Sequence, residues 1–246
     1  MHEMIEPLVR RRQMLKLGGA TGLLYCFTPG LFAEELMRTA QMGEGPFYPD
    51  RLPLDTDNDL LIVNDSLTPA VGEITHLTGK IFSASGSPVR NAFVEIWQVD
   101  GNGYYIHSGS GDSEVRDGNF QGYGRFLTGT SGEYYFRTIK PIGYGTGNFH
   151  RTPHIHFAVS KNGQRIFTSQ MLIQGEPGNE RDGLFRRVSD PGERDTILAE
   201  FKPIPESKIG ELAAHFDIVL GHTVEEMEDG TLRGGIGKSQ RQPRRG

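Results

Sequence analysis

Between residues 76 and 173 short apolar runs alternate with clusters of turn-forming residues. Six runs read as β-strands: His76–Ala84, Ala92–Val99, Gly124–Thr128, Glu133–Ile139, His154–Ser160 and Ile166–Ile173. SGSP, DGNG, TSGE and KNGQ separate them, as tight turns would. Short strands at this spacing predict an all-β, antiparallel β-sandwich with long loops. The pattern changes at 182–200, where DPGERD opens with a capping Asp followed by Pro and predicts a short helix. HFDIVLG at 215–221 reads as a last strand. Before the first strand, residues 34–75 are rich in turn formers.

The period of two sorts the side chains of residues 154–160. Ile155, Phe157 and Val159 share one face and belong to a core. His154 and His156 share the other with Ala158 and Ser160. Two imidazoles fixed on a strand are well placed to ligate a metal, and equally well placed to be two hydrogen-bonded histidines. The pair needs further ligands to choose. No Glu follows His156 before Glu176, so the spacing of a cupin-type iron site is absent. A two-His-one-carboxylate site would need a carboxylate that no local motif marks, and no H-E-x-x-H is present. Two tyrosines are better placed. Tyr144 sits in IKPIGYGTGNF, and Tyr105 ends the run EIWQVDGNGYY. A phenol ordinarily titrates near 10, but a trivalent cation would strip its proton. Two His and two tyrosinates make a hard, electron-rich set suited to Fe(III).

Composition narrows the class. The 246 residues are 36% hydrophobic and 23% charged, with 33 Gly and 14 Pro, which suits a globular chain of short strands and turns. A formal charge of −5 gives no reason to expect a nucleic-acid partner. The first 33 residues differ from the rest. A basic run, a short apolar and small-residue stretch and LFAEE have the layout of a secretory signal. Arg11-Arg12-Gln13-Met14-Leu15-Lys16 resembles a twin-arginine signal, with Met14 where Phe is common. Cleavage after Ala33 would leave Leu31 at a position that favours a small residue, and would remove Cys26, the one cysteine. The expected product is exported, periplasmic or extracellular, spans no membrane once the signal is gone, and uses no thiol. The tail from Thr223 turns acidic, then Gly-rich, then basic, and is expected to be disordered. The domain plan is therefore a signal at 1–33, a sandwich at 34–222 and a tail at 223–246.

Residues 77–105, LTGKIFSASGSPVRNAFVEIWQVDGNGYY, resemble the signature of the intradiol ring-cleavage dioxygenases. The match runs through Leu77, Gly79, Ile81, Gly86, Val89, Val94-Glu95-Ile96, Gly103 and Tyr105. EGPFYP at 44–49, FRTIKPIGY and RTPHIHF extend it in order, from about Gly43 to Gly221. The resemblance implies a β-sandwich holding non-haem Fe(III), with Tyr105 and His154 as equatorial ligands and Tyr144 and His156 as axial ones. It implies cleavage of a catechol-type ring by O₂ between the hydroxyl-bearing carbons, giving a muconate-type diacid. Arg151 would stand beside the substrate, and Gln170 would support it from the next strand. Tyr144 would leave the metal as substrate arrives, helped by Gly143 and Gly145. His107 and His150 are read as solvent-facing loop residues near the pocket, and Tyr48 as an entrance residue. The protocatechuate-type members pair related chains, so a homo-oligomer or a related partner chain is expected. The competing class is a transthyretin-like or carboxypeptidase-regulatory-like sandwich module that binds without catalysis. Its turn logic is the same, and it has no reason to keep the Tyr105, Tyr144, His154, His156 and Arg151 set.

Overall fold

In the computed structural model, the residues described are 36–63, 67–111, 114–146 and 149–221, with the backbone of 225–226, 232–233 and 238–239. The strand-forming runs fold into two main sheets. Strand β1 (Ile74–Phe82) joins the first, β2 (Phe93–Trp97) and β3 (Tyr123–Leu127) the second, and β4 (Glu133–Ile139) returns to pair with β1. A separate hairpin follows, β5 (Tyr144–Thr146) against β6 (Phe149–Arg151). Then come the long strands β7 (His154–Lys161) and β8 (Gln164–Ile173). The remaining strands are short: β9 (Leu198–Ala199), β10 (Phe201–Pro203), β11 (Leu212–His215) and β12 (Ile218–Val219).

The first sheet runs β10-β11-β1-β12, with β4 on the other edge of β1. The second runs β8-β7-β2-β3, with β9 added to β8. Their facing sides enclose one core. Leu77 and Ile81 of β1 and Phe136 of β4 meet Val94 and Ile96 of β2, Ile155, Phe157 and Val159 of β7, and Phe167 and Met171 of β8. The alternation predicted for residues 155, 157 and 159 is the one observed. Gly79 marks a close approach in this core: a Cβ there would collide with the Phe216 carbonyl oxygen and stand 2.5 Å from Tyr134 Oη.

Three features differ from the pattern-based expectation. Pairing is not purely antiparallel, because β11 and β12 lie parallel to β1 and β9 lies parallel to β8. The strand expected at 215–221 is two residues long at Ile218–Val219, and Leu212–His215 before it also pairs. The helix is only Pro191–Asp195, opened as expected by Asp190, whose carboxylate accepts from the Glu193 amide at 2.9 Å. Ahead of it, 3-10 turns occupy Asn179–Arg181 and Phe185–Arg187. The signal expected at 1–33 lies outside the described residues, as does most of the tail. Within that tail the backbone forms β13 (Glu225–Glu226) against β14 (Leu232–Arg233), and β15 (Lys238–Ser239) against the start of β8. Among the described residues no helix is long and apolar enough to cross a membrane.

Candidate metal centre

The outer face of the second sheet is also covered, so β7 is buried on both sides. Trp97, Val99, Tyr105, Tyr123 and Ala158 pack there, with Phe47, Tyr48 and Tyr144 against them. His154 and His156 point into this second layer and are 1% and 2% exposed. His154 Nδ1 lies 2.6 Å from the Thr152 carbonyl oxygen. A carbonyl can only accept, so Nδ1 carries the hydrogen and Nε2 presents a lone pair. The His156 ring lies flat on Trp97, with centroids 4.8 Å apart and planes 9° from parallel. Gly45, at φ +77°, passes so near that a Cβ would stand 3.1 Å from His156 Cε1.

Tyr105 arrives from the turn after β2. Asp100 shapes that turn by accepting from the amides of Asn102 and Tyr104 at 2.9 and 3.0 Å. Tyr105 Oη stands 3.1 Å from His154 Nε2 and 3.0 Å from His156 Nε2, and the two nitrogens are 3.2 Å apart. Tyr144 Oη is 3.5 Å from Tyr105 Oη. The glycine-rich segment around Tyr144 is no open loop: Tyr144 on β5 is the register partner of Arg151 on β6. The four side chains singled out in the sequence therefore converge on one point.

Burial favours the neutral forms of Tyr105, His154 and His156 in the absence of a cation. It lowers the His154 pKa to about 4, with the Arg151 charge acting in the same direction. Burial, then His154 and Arg151, hold His156 well below the ordinary imidazole value. Burial, then Tyr144, push the Tyr105 phenol well above its ordinary value. Hydrogen bonding alone does not satisfy the cluster. If His156 carries its hydrogen on Nδ1, two Nε2 lone pairs face each other and Tyr105 can donate to only one. If it carries it on Nε2, its buried Nδ1 is left with no donor, for that atom has no partner among the described residues. A cation at the centre resolves the crowding of acceptors. Donors about 2.0–2.1 Å from one ion and at right angles to each other stand about 3 Å apart, as these do. Among the described residues no three His, Cys, Asp or Glu side chains gather, and the side-chain donors at this point are two imidazoles and two phenols. The donor set fits iron in its hard, ferric form.

The supporting residues form two groups. Arg151 is buried; its Nε donates to Asp182 Oδ2 at 2.7 Å and its NH2 group to Gln170 Oε1 at 2.6 Å. Gln170 faces His156 across β7–β8 and donates from Nε2 to the Gly43 carbonyl at 3.1 Å. The second group lies behind Trp97. Glu95 accepts from Tyr123 Oη at 2.5 Å, from Tyr48 Oη at 3.0 Å and from Arg165 at 2.8 Å. Tyr48, expected at the entrance, is turned inward to this carboxylate and sets its ring edge-on to Trp97. His107 lines a cavity of about 500 Å³ that also touches Tyr105, and its Nδ1 accepts from the Gly109 amide at 2.9 Å. His150 is exposed on β6, opposite Gly145. Sequence reasoning missed Asp182, Glu95, Trp97 and Phe47, whose ring stacks on Tyr105 at 5.1 Å and meets Tyr144 edge-on. One signal was visible for Glu95: a carboxylate inside the apolar strand FVEIW needs a buried partner.

In this β-sandwich two phenols and two imidazoles meet in the layer outside the second sheet. A family model described as "Dioxygenase" matches residues 43–222. The chain is 35% identical over 182 residues to the protocatechuate 3,4-dioxygenase beta chain of Burkholderia cepacia, covering 72% of this chain and 76% of that one. It is 26% identical over 201 residues to the hydroxyquinol 1,2-dioxygenase of Rhodococcus opacus, covering 72% of this chain and 61% of that one. Among solved structures, catechol 1,2-dioxygenase from Acinetobacter sp. ADP1, inhibited by bound mercury, superposes with a TM-score of 0.59 at 25% identity, over 80% of this chain and 67% of that one. The dioxygenase domain of a carbohydrate-binding fusion protein from Streptomyces sp. SirexAA-E superposes at 0.55 with 26% identity, over 76% of this chain and all of that one. The chain belongs to the intradiol ring-cleavage dioxygenase family, and it is an oxidoreductase.

Proposed function

We propose that this enzyme holds Fe(III) on Tyr105, Tyr144, His154 and His156 and uses O₂ to cleave a catechol-type ring between its hydroxyl-bearing carbons. The observation that carries the reading is the convergence of Tyr105 Oη and both Nε2 atoms within 3.0–3.2 Å, with Tyr144 Oη 3.5 Å from Tyr105 Oη. The names of the relatives support the substrate class: protocatechuate, hydroxyquinol and catechol all carry adjacent ring hydroxyls. Bound there, ferric iron supplies Lewis-acid activation of the ring and the colour of tyrosinate charge transfer.

The chain's own residues do the rest. His154 stays in one tautomer because Thr152 holds its Nδ1 hydrogen. Tyr144 is the ligand placed to move, because it is half-buried on a two-stranded hairpin while Tyr105 is buried. Released, its Oη takes a proton from the incoming catechol. The guanidinium of Arg151 serves as a fixed positive charge for negative charge developing on the ring. Phe47, flat on Tyr105, keeps water off that side of the cluster. The twin-arginine-like run at 11–16 supports export, and the protocatechuate-type relative supports assembly with a second copy or a related chain.

The test is iron loading followed by oxygen uptake with catechol, protocatechuate, hydroxyquinol and lignin-derived catechols. The loaded protein is burgundy, with a broad visible band, and consumes O₂ with at least one of them. A chain that stays colourless and iron-free after loading refutes the reading. N-terminal sequencing of the periplasmic fraction tests the export signal.

A further inference from the structure

The Asp182 carboxylate is 1% exposed and every one of its acceptor positions is used. Oδ2 accepts from Arg151 Nε at 2.7 Å and from the Thr152 amide at 3.0 Å. Oδ1 accepts from the amides of Leu184 and Phe185 at 2.8 and 3.1 Å. A carboxylate has about four such positions. These bonds bear on two functional groups. Arg151 is gripped at Nε by Asp182 and at NH2 by Gln170, which fixes the plane of its guanidinium. Thr152, held at its amide nitrogen by Asp182, presents from its following peptide the carbonyl that holds His154 Nδ1–H. Thr152 is tied once more, from Oγ1 to Asn179.

We propose that Asp182 is a positioning residue that aligns Arg151 with the reacting ring and locks His154 with Nε2 toward the metal. It touches neither substrate nor metal and acts through those two residues. The inference deepens the proposed reaction and rests on it for its kinetic arm alone. Charge and geometry are both needed. An amide at this position would turn an N–H₂ toward Arg151 Nε–H or toward the two helix-turn amides, and one side would lose its acceptor.

The experiment has two arms on the full chain. In the metal-free protein, ¹H–¹⁵N NMR follows Arg151 Nε–H and His154 Nδ1–H. Both exchange slowly in the wild type. In Asp182→Asn both are lost to exchange while the core amides of Phe157 and Phe167 persist. Asp182→Ser, which keeps a side-chain acceptor for Leu184 and Phe185, behaves the same way and serves if the Asn variant does not fold. Persistence of both side-chain signals in a folded variant overturns the proposal, whether or not iron is involved. In the iron-loaded protein, kcat of Asp182→Asn falls about a hundredfold, the scale of a roughly 1 Å misplacement. In an Arg151→Gln background the same change costs less than it does in the wild type, because one of the two groups it positions is gone and only the His154 route remains. Losses that multiply in full overturn the kinetic half. A wild type that binds no iron and cleaves no catechol overturns the proposed reaction instead, and the NMR arm still decides the role of Asp182.

Discussion

Glu95 offers the sharpest test of how the site is supported. It sits on β2 two residues before Trp97, the indole on which His156 lies. Its side chain is 2% exposed, and that of its partner Arg165 is 10% exposed, with 2.8 Å between them. Glu95→Ala removes the acceptor for Tyr123, Tyr48 and Arg165 at once. Removing one member of a buried ion pair costs about 3–5 kcal/mol, because the remaining charge is stranded. Here Arg165 keeps Glu44 at 2.5 Å and the Tyr48 ring at 4.6 Å, which argues for the lower half of that range. Glu44 is 38% exposed and screened by solvent, so it replaces little of what Glu95 supplies. The expected loss is about 3–4 kcal/mol, or roughly 6–16 °C in Tm for a domain of this size. Urea unfolding read by both fluorescence and circular dichroism measures it, with an unchanged m-value as the check that two states persist. Arg165→Met alone should also destabilise, and the double variant should lose at least about 1 kcal/mol less than the sum of the two. A loss below about 1 kcal/mol for Glu95→Ala, or strict additivity with Arg165→Met, refutes the idea that this pair supports the Trp97–His156 stack.

Further outcomes follow from individual contacts. His154→Ala and His156→Ala lose iron, colour and oxygen uptake while cooperative unfolding survives, since neither side chain belongs to the core between the sheets; a variant retaining stoichiometric iron by metal analysis contradicts the ligand assignment. Tyr144→Phe shifts or weakens the visible band, and an unchanged spectrum means that another group fills that position. Gly45→Ala forces a left-handed backbone on a residue with a Cβ and presses on His156, costing about 1–2 kcal/mol in thermal unfolding; an unchanged Tm and spectrum would show that the 43–48 segment is not seated on the ring. Burial raises the Asp182 pKa, but the hydrogen bond and charge of Arg151 more than offset this and hold it below the ordinary 3.8. Its contribution to stability is therefore complete above that value and is lost as pH falls through the lower folded-state pKa. Asp182→Asn should flatten stability below about pH 4 relative to wild type, and parallel acid-unfolding curves would count against the shift.

What the sequence revealed of the fold depended on period. β4 matches its expected span, and the other five strands read from alternation differ by at most two residues at either end, because each crosses a core that demands every second side chain. The pairs that run parallel involve strands of two to four residues. Two residues carry no period, and their partners are chosen by what the long strands leave unpaired. The hairpin around Tyr144 was hidden for the same reason. Three-residue strands beside glycines look like a loop until Arg151 is found across from Tyr144.

The site divides along a different line. Its donors were legible because strand geometry and a turn fix them locally: His154 and His156 are two apart on β7, and Tyr105 follows a turn that Asp100 closes within four residues. The residues that hold those donors in place were not legible, because each acts across the chain. Asp182 reaches Arg151 over 31 positions and Arg165 reaches Glu95 over 70. In the sequence Asp182 is one polar residue in a turn-rich stretch, with nothing to mark it as buried. Burial on both faces of β7 is what makes such partners necessary. A strand with one wet face could present its imidazoles to water and tolerate loose neighbours. Here buried polar groups beside the His154–His156 pair must look for partners inside the protein, and the network from Gly43 through Gln170 and Arg151 to Asp182 supplies them for Arg151 and Gln170. Changes in the network should thus alter catalysis as well as stability, whereas changes in Leu77, Phe157 or Phe136 should act first on the fold.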